Sequence, residues 1–273
     1  MEKKERLISL DVFRGITIAG MILVNNPGSW GSVYPPLLHA KWNGCTPTDL
    51  IFPFFLFIVG IAITLSLSKR KERGDDQTKL LLNILRRSAI LFGLGLILSG
   101  FPKFDFSTIR IPGVLQRIAV VYLVTSFIFL KTNLKVQTIL MFAFLVFYWL
   151  LMTLVPVPGI GAANLEPTTN LAAWLDNLLM NGHLWKAKKV WDPEGILSSL
   201  PAISSALIGV LTGHLLISKE DKINKTVWLF VAGSFAMLFG YIWDSWFPMN
   251  KSLWTSSYVL YTGGLALNFL AIC

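Results

Sequence analysis

A histidine and an aspartate stand at the mouth of an apolar run in LLHAKWNGCTPTDLIFPFFLFIVG, residues 37–60. They are His39 and Asp49. An imidazole titrates near neutral pH, so it can take a proton from an incoming nucleophile or attack a carbonyl itself. Two plainer readings stay open. A loop histidine is often an ordinary polar side chain, and Thr48 and Asp49 are good capping residues for a helix N-terminus. Other ionisable residues occupy similar positions. Arg110 and Arg117 flank a Pro-Gly turn in PKFDFSTIRIPGVLQR, residues 102–117, and suit an anion or lipid headgroups. Asp192 and Glu194 in WDPEG open another apolar run, where carboxylates either face a ligand or complement a helix dipole. Asn250 and Lys251 lie in a third polar turn, PMNKSLWTSS. Asp11 and Arg14 are three residues apart on one helical face. They read as a self-neutralising pair or, for Arg14, as a phosphate contact. Asn25 and Asn26 precede Pro27-Gly28, which by itself reads as a helix stop.

The elements that must position these residues are membrane helices. Of 273 residues, 54% are hydrophobic and only 14% charged, and the mean hydropathy is +0.61. A soluble domain carries roughly a quarter charged residues. The apolar residues fall into blocks long enough to span a bilayer. The expectation is an all-α polytopic membrane bundle with eight spans: Leu7–Asn26, Leu50–Ser68, Leu81–Gly100, Val114–Leu130, Val136–Val155, Gly195–Ile217, Thr226–Phe247 and Tyr258–Cys273. Pro156–Pro193 reads as one long loop. Gly209 and Gly213 form a small-residue motif suited to close helix packing.

Lys and Arg set the expected orientation, with the N-terminus cytoplasmic. The inner face then holds Lys3, Lys4, Arg6, Lys69, Arg70, Lys71, Arg73, Lys79, Arg86, Arg87, Lys131, Lys135, Lys219, Lys222 and Lys225. The outer face holds the smaller set Lys41, Lys103, Arg110, Arg117, Lys186, Lys188, Lys189 and Lys251. The net charge of +9 thus records topology and attraction to anionic lipid, not nucleic-acid binding. Cys45 and Cys273 show neither metal-ligand spacing nor a disulfide framework, and no metal is expected. In this topology His39, Asp49, Arg110, Arg117, Asp192, Glu194, Asn250 and Lys251 all fall on the outer side. Their loops, rich in aromatic residues, look like the wall of a site.

Six segments, in order along nearly the whole chain, carry a resemblance. They are LDVFRG (10–15), VN (24–25), HAKWNGCTPTDLIFPFFLFIVG (39–60), RIPGVLQRI (110–118), DPEGIL (192–197) and NKSLWTSSYV (250–259). Together they resemble the heparan-α-glucosaminide N-acetyltransferase family, and among its members the bacterial ones, some labelled N-acetylglucosamine-related transporters. The resemblance implies a multi-pass enzyme of the cell's inner (plasma) membrane. It would take acetyl from cytosolic acetyl-CoA, as co-substrate, to an amino sugar on the far side. The family's active histidine matches His39, and its partner asparagine matches Asn25. Asn25 would then bond the developing oxyanion or fix the His39 tautomer, and His39 would act as general base or as acetyl-imidazole. The coenzyme's phosphates would lie near Arg14, Lys69, Arg86 and Arg87. Trp42, Asp49, Arg110, Arg117, Asp192, Glu194, Asn250 and Lys251 would face the sugar. The expected partners are the lipid bilayer and the amino-sugar acceptor, with a homodimer left open and no nucleic acid. Residues 1–273 would form a single transmembrane acyltransferase-like domain, shortened at its C-terminal end, since family members carry further helices after NKSLW. An amino-sugar transporter is the rival reading, and a non-catalytic membrane scaffold the third.

Overall fold

The computed structural model describes residues 7–185 and 189–273. Lys3, Lys4, Arg6, Lys186 and Lys188, used in the orientation argument, lie outside the described residues. The helices are α1 (Ile8–Asn25), α2 (Ile51–Glu72), α3 (Gln77–Gly100), α4 (Val114–Lys131), α5 (Leu134–Leu154), α6 (Leu171–Met180), α7 (Ser199–Ile217), α8 (Lys222–Asp244) and α9 (Ser256–Ile272). Among the described residues 7 candidate spans are long and apolar enough to cross a membrane, and α9 is a shorter apolar helix. Each of the eight expected spans falls on one of these helices. The difference lies in the long loop, which contains α6. Its 10 residues are too few to span, and Asn170 starts it by accepting the Ala173 N–H at 2.9 Å. Side-chain caps also open α3 (Asp76), α5 (Asn133) and α8 (Asp221).

The centre of the bundle is α2 against α7, and small residues set how close they come. A Cβ on Gly60 would sit 1.9 Å from the Ala206 carbonyl oxygen, and one on Gly209 would sit 2.0 Å from that of Phe57. The small-residue motif therefore does what its spacing suggests. Around this pair, α8 packs on α9 and α3 on α4. The outer helices turn apolar side chains outward: Ile22 and Leu23 on α1, Leu94 and Leu98 on α3, Trp228, Phe235 and Phe239 on α8. Such faces are matched to hydrocarbon, not water.

The helices alternate in direction, so the bundle has two unlike ends. One end carries short basic turns. There Lys71 Nζ donates to the Phe129 and Thr132 carbonyls at 2.7 and 2.6 Å, and Lys225 Nζ donates to those of Leu216 and Ser218 at 2.9 Å. The other end carries the long connections 26–50, 101–113, 155–185 with 189–198, and 245–255, whose charged side chains meet and make up the vestibule end.

Candidate active site

The site is built outward from Asp49. Pro47–Leu50 is a 3-10 turn that leads into α2, and Asp49 closes its capping box by accepting the Thr46 N–H at 3.0 Å. The same oxygen, Oδ2, accepts from the Ala40 N–H at 3.0 Å. The other, Oδ1, lies 2.6 Å from His39 Nδ1. Tyr258 of α9 donates its hydroxyl to the Asp49 carbonyl at 2.5 Å. Asp49 is 1% exposed while the His39 side chain is 46% exposed. Capping and histidine binding are thus one arrangement, not alternatives. A carboxylate only accepts, so the pairing assigns the proton to His39 Nδ1 and leaves Nε2 as the nitrogen with the lone pair.

Lys251 completes this first cluster. Its Nζ lies 3.0 Å from His39 Nδ1, 3.4 Å from His39 Nε2 and 3.5 Å from Asp49 Oδ1. Burial pushes the Lys251 ammonium down from the ordinary lysine range, against the pull of Asp49 and Glu194. Burial, with Asp49 in the same direction and Lys251 opposed, pushes the Cys45 thiol up to about 12. Cys45 therefore stays a thiol at neutral pH and is a poor acyl carrier.

A second cluster adjoins the first. Arg110 forks onto Asp192 through Nε at 2.8 Å and Nη2 at 2.5 Å, and the same Nη2 donates to Glu194 Oε2 at 2.5 Å. Burial alone would weaken the Arg110 charge, but its bonds to Asp192 and Glu194 outweigh it and hold its pKa above the usual value. Burial pushes the Glu194 carboxyl up, against Arg117 and Arg110. The loop is pinned by His183, whose carbonyl accepts the Ile111 N–H at 2.9 Å and whose Nδ1 lies 2.8 Å from the Ile109 carbonyl. Arg117, in the first turn of α4, donates to the Gly195 carbonyl at 3.0 Å and to the Ser198 hydroxyl, and stacks 5.2 Å from the Trp254 ring. Among the described residues its buried Nε and Nη1 have no hydrogen-bond partner, an arrangement costly enough to need a reason. Asp176 of α6 accepts the Ile196 N–H at 2.9 Å. Burial, reinforced by Asp192 and opposed by the Ile196 N–H and Arg117, pushes its carboxyl to about 7. Lys251 feels both Asp49 and Glu194, and so couples the two clusters.

The structure thus brings together His39, Asp49, Lys251, Arg110, Arg117, Asp192 and Glu194. Other expectations change. Asp192 and Glu194 do not cap the helix that follows, because α7 starts only at Ser199. Asn25 does not reach His39: it is exposed at the end of α1 and donates to the Met21 carbonyl at 2.9 Å, as a helix stop does. Two short 3-10 turns, Trp30–Ser32 and Pro35–Leu37, lie in the loop between them. Asn250 is fully buried and holds its own turn, accepting the Leu253 N–H at 2.9 Å and donating to Asn43 at 3.2 Å, so it is a scaffold of the vestibule rather than its surface. Trp42 packs edge-on against Trp191 at 5.1 Å and donates to the Leu165 carbonyl at 3.0 Å, which makes it a wall residue. Arg14 pairs with Asp11 at 3.4 Å, and Lys69, Arg86 and Arg87 are exposed on α2 and α3. Sequence reasoning missed Asp176, Ser198 and Trp254. Asp176 left a usable signal, a lone charge inside LAAWLDNLLM.

A family model described as "Heparan-alpha-glucosaminide N-acetyltransferase, catalytic" matches residues 6–243. The chain belongs to this family. It is 31% identical to the heparan-alpha-glucosaminide N-acetyltransferase of Homo sapiens, over 98% of this chain and 48% of the human protein. Its identity to that of Mus musculus is 30%, over 93% of this chain and 46% of the mouse protein. The chain spans about half the length of the curated relatives it matches. Of the residues in the two clusters, Lys251, Trp254 and Tyr258 lie beyond the family match, and Lys251 follows it by eight residues and joins the site through space.

Proposed function

We propose that this protein is a transmembrane N-acetyltransferase that moves acetyl from acetyl-CoA to the amine of an amino sugar held in the vestibule. The observation that carries the reading is the His39–Asp49 pair: a histidine oriented by a buried carboxylate, half exposed among the charged side chains of the vestibule loops. Membership of an acetyltransferase family supports it. The orientation that fits is N-terminus cytoplasmic in an inner (plasma) membrane, with the basic end facing the cytosol.

Acetyl transfer needs a neutral amine, a group to receive its proton and donors for the carbonyl oxygen. His39 Nε2 takes a proton from the acceptor ammonium, the freed nitrogen forms its bond to the acetyl carbon, the C–S bond of the thioester breaks with its electron pair left on sulfur, and the second proton lost by the nitrogen ends on that thiolate. In a second form of the same chemistry, Nε2 itself receives the acetyl first. Asp49 keeps Nδ1 protonated in both and steadies the positive charge that forms on the ring. Asp192 and Glu194 give the vestibule the acceptors that sugar hydroxyls need. The unpartnered N–H groups of Arg117 are donors still available to an oxygen. At the basic end, Arg14, Lys69, Arg86 and Arg87 supply charge for the coenzyme's phosphates.

The test is protein reconstituted in liposomes, with radiolabelled acetyl-CoA and glucosamine on opposite sides and His39→Ala alongside. Label on the sugar with wild type alone supports the reading. Sugar that crosses unmodified replaces it with a transporter, and no activity of either kind overturns it.

A further inference from the structure

The amine held against His39 in this structure belongs to the chain itself. Lys251 Nζ lies against the imidazole ring, 3.0 Å from Nδ1 and 3.4 Å from Nε2, the nitrogen left with a lone pair. Its side chain is 22% exposed, and its turn is rigidly held. Met249 N donates to Asp244 Oδ1 at 2.6 Å, Asn250 N to Thr255 Oγ1 at 2.9 Å, and Gly44 N to the Met249 carbonyl at 2.7 Å. The Nζ is therefore presented to the imidazole by a fixed backbone. It sits where an acceptor amine would have to sit, facing a base and two carboxylates. The burial that disfavours its ammonium form favours the neutral, nucleophilic amine.

Resting on the acetyltransferase reading, we propose that Lys251 is an internal acceptor, acetylated on Nζ by an acetyl thioester at His39 when the vestibule holds no other amine. The Lys251 ammonium first gives up a proton to solvent. The Nζ lone pair then forms the N–C bond to the thioester carbonyl carbon, whose π pair moves onto oxygen. The tetrahedral intermediate collapses, the C–S bond breaks, and its electron pair leaves on sulfur. His39 Nε2 takes the remaining excess proton from nitrogen and passes it on to the thiolate. The products are an amide and a free thiol, with no change of oxidation state. Acetylation fills the amine position and removes the positive charge between Asp49 and Glu194. The modified protein is therefore blocked toward acceptor, and glucosamine protects against the block.

The experiment incubates the full chain in liposomes with radiolabelled acetyl-CoA and no acceptor, treats it with hydroxylamine to strip any acetyl-imidazole, and locates the remaining acetyl by peptide mass analysis. The expected result is a stable acetyl on Lys251, enriched on the order of a hundredfold over exposed Lys41, the low end of what a positioned proton acceptor contributes. It should be slowed by glucosamine, absent at that position in Lys251→Arg, and absent in His39→Ala, in which Lys251 is intact. If wild type acetylates glucosamine while Lys251 is unlabelled, labelled no more than Lys41, or labelled equally in His39→Ala, the inference is overturned and the function stands. If neither glucosamine nor Lys251 is acetylated, the function falls and the inference with it.

Discussion

The two ends of the bundle treat charge in opposite ways. At the vestibule end, charged side chains from four separate loops meet around the buried carboxylates Asp49 and Asp192: Arg110 with Asp192 and Glu194, Lys251 with Asp49 and His39. At the basic end, Lys71 and Lys225 reach back to carbonyls at the ends of neighbouring helices, and Lys69, Arg86 and Arg87 point outward. Burying an ion costs several kcal/mol unless pairing offsets it, whereas an exposed one costs little and contributes little. Composition alone gives the ends similar vocabularies. Burial separates an end organised for chemistry from one organised for topology, lipid and phosphate.

The sharpest way to break this contrast is at His39. His39→Ala should abolish acetyl transfer while leaving the protein folded and inserted, since the side chain is half exposed and its loss leaves Asp49 with its backbone donors. Wild-type activity in that variant, measured in liposomes, would remove the chemistry from the vestibule. Next in size is Asp49→Asn. An amide in place of the carboxylate presents a donor to Nδ1 and favours the wrong tautomer, so kcat should drop by on the order of 10²–10⁴-fold with less change in acceptor KM. An unchanged kcat would reduce Asp49 to a cap.

Arg110→Ala tests stability. Removing the cation leaves Asp192 and Glu194 buried and uncompensated, at a cost of about 3–5 kcal/mol. Thermal unfolding in detergent should show a large loss. A change as small as that of an exposed lysine would mean that the vestibule pairs are no different in kind from the surface charges.

What was legible in the sequence follows the same division. Eight helices were readable because a span needs length and hydropathy, both local properties. His39, Asp49, Arg110 and Asp192 stood out because ionisable residues beside apolar runs need a reason. Their pairing was not readable. Arg110 and Asp192 are 82 residues apart, and only the packing of α4 beside α7, both starting at the same end of the bundle, brings their loops together. Asn25 shows the opposite failure: closeness in sequence to His39 did not reveal that its side chain turns back to the Met21 carbonyl of its own helix. Helix α6 escaped because its apolar pattern is too short to span, and Asp176 escaped with it.

Asp176 offers a smaller, graded test. Its ordinary value is 3.8 and the folded value about 7, so between them the folded chain holds a proton that the unfolded chain releases. The unfolded state binds fewer protons there, so stability falls as pH rises through that window, at up to about 1.4 kcal/mol per pH unit. Asp176→Asn keeps an acceptor for the Ile196 N–H and cannot ionise. Comparing melting temperatures at pH 5 and pH 8, the wild type should lose stability on going up and the variant should lose less. Parallel losses would show that Asp176 titrates like an exposed carboxyl, and that the second cluster is wetter than its burial implies.

The smallest effects belong to the basic end. Arg86 and Arg87 are exposed, so replacing both by Ala should change stability by no more than roughly 0.5 kcal/mol. If they attract the coenzyme's phosphates, the apparent KM for acetyl-CoA should rise, the acceptor KM and kcat should hold, and the rise should shrink as salt screens the interaction. Arg14→Ala should behave the same way, but more weakly, because Asp11 already neutralises part of its charge. A drop in kcat from any of these variants would place a transition-state contact at the wrong end of the molecule and undo the division of labour. An unchanged KM for all three would leave these arginines with topology alone, and would move the search for the coenzyme's phosphate site to the lysines of the neighbouring turns.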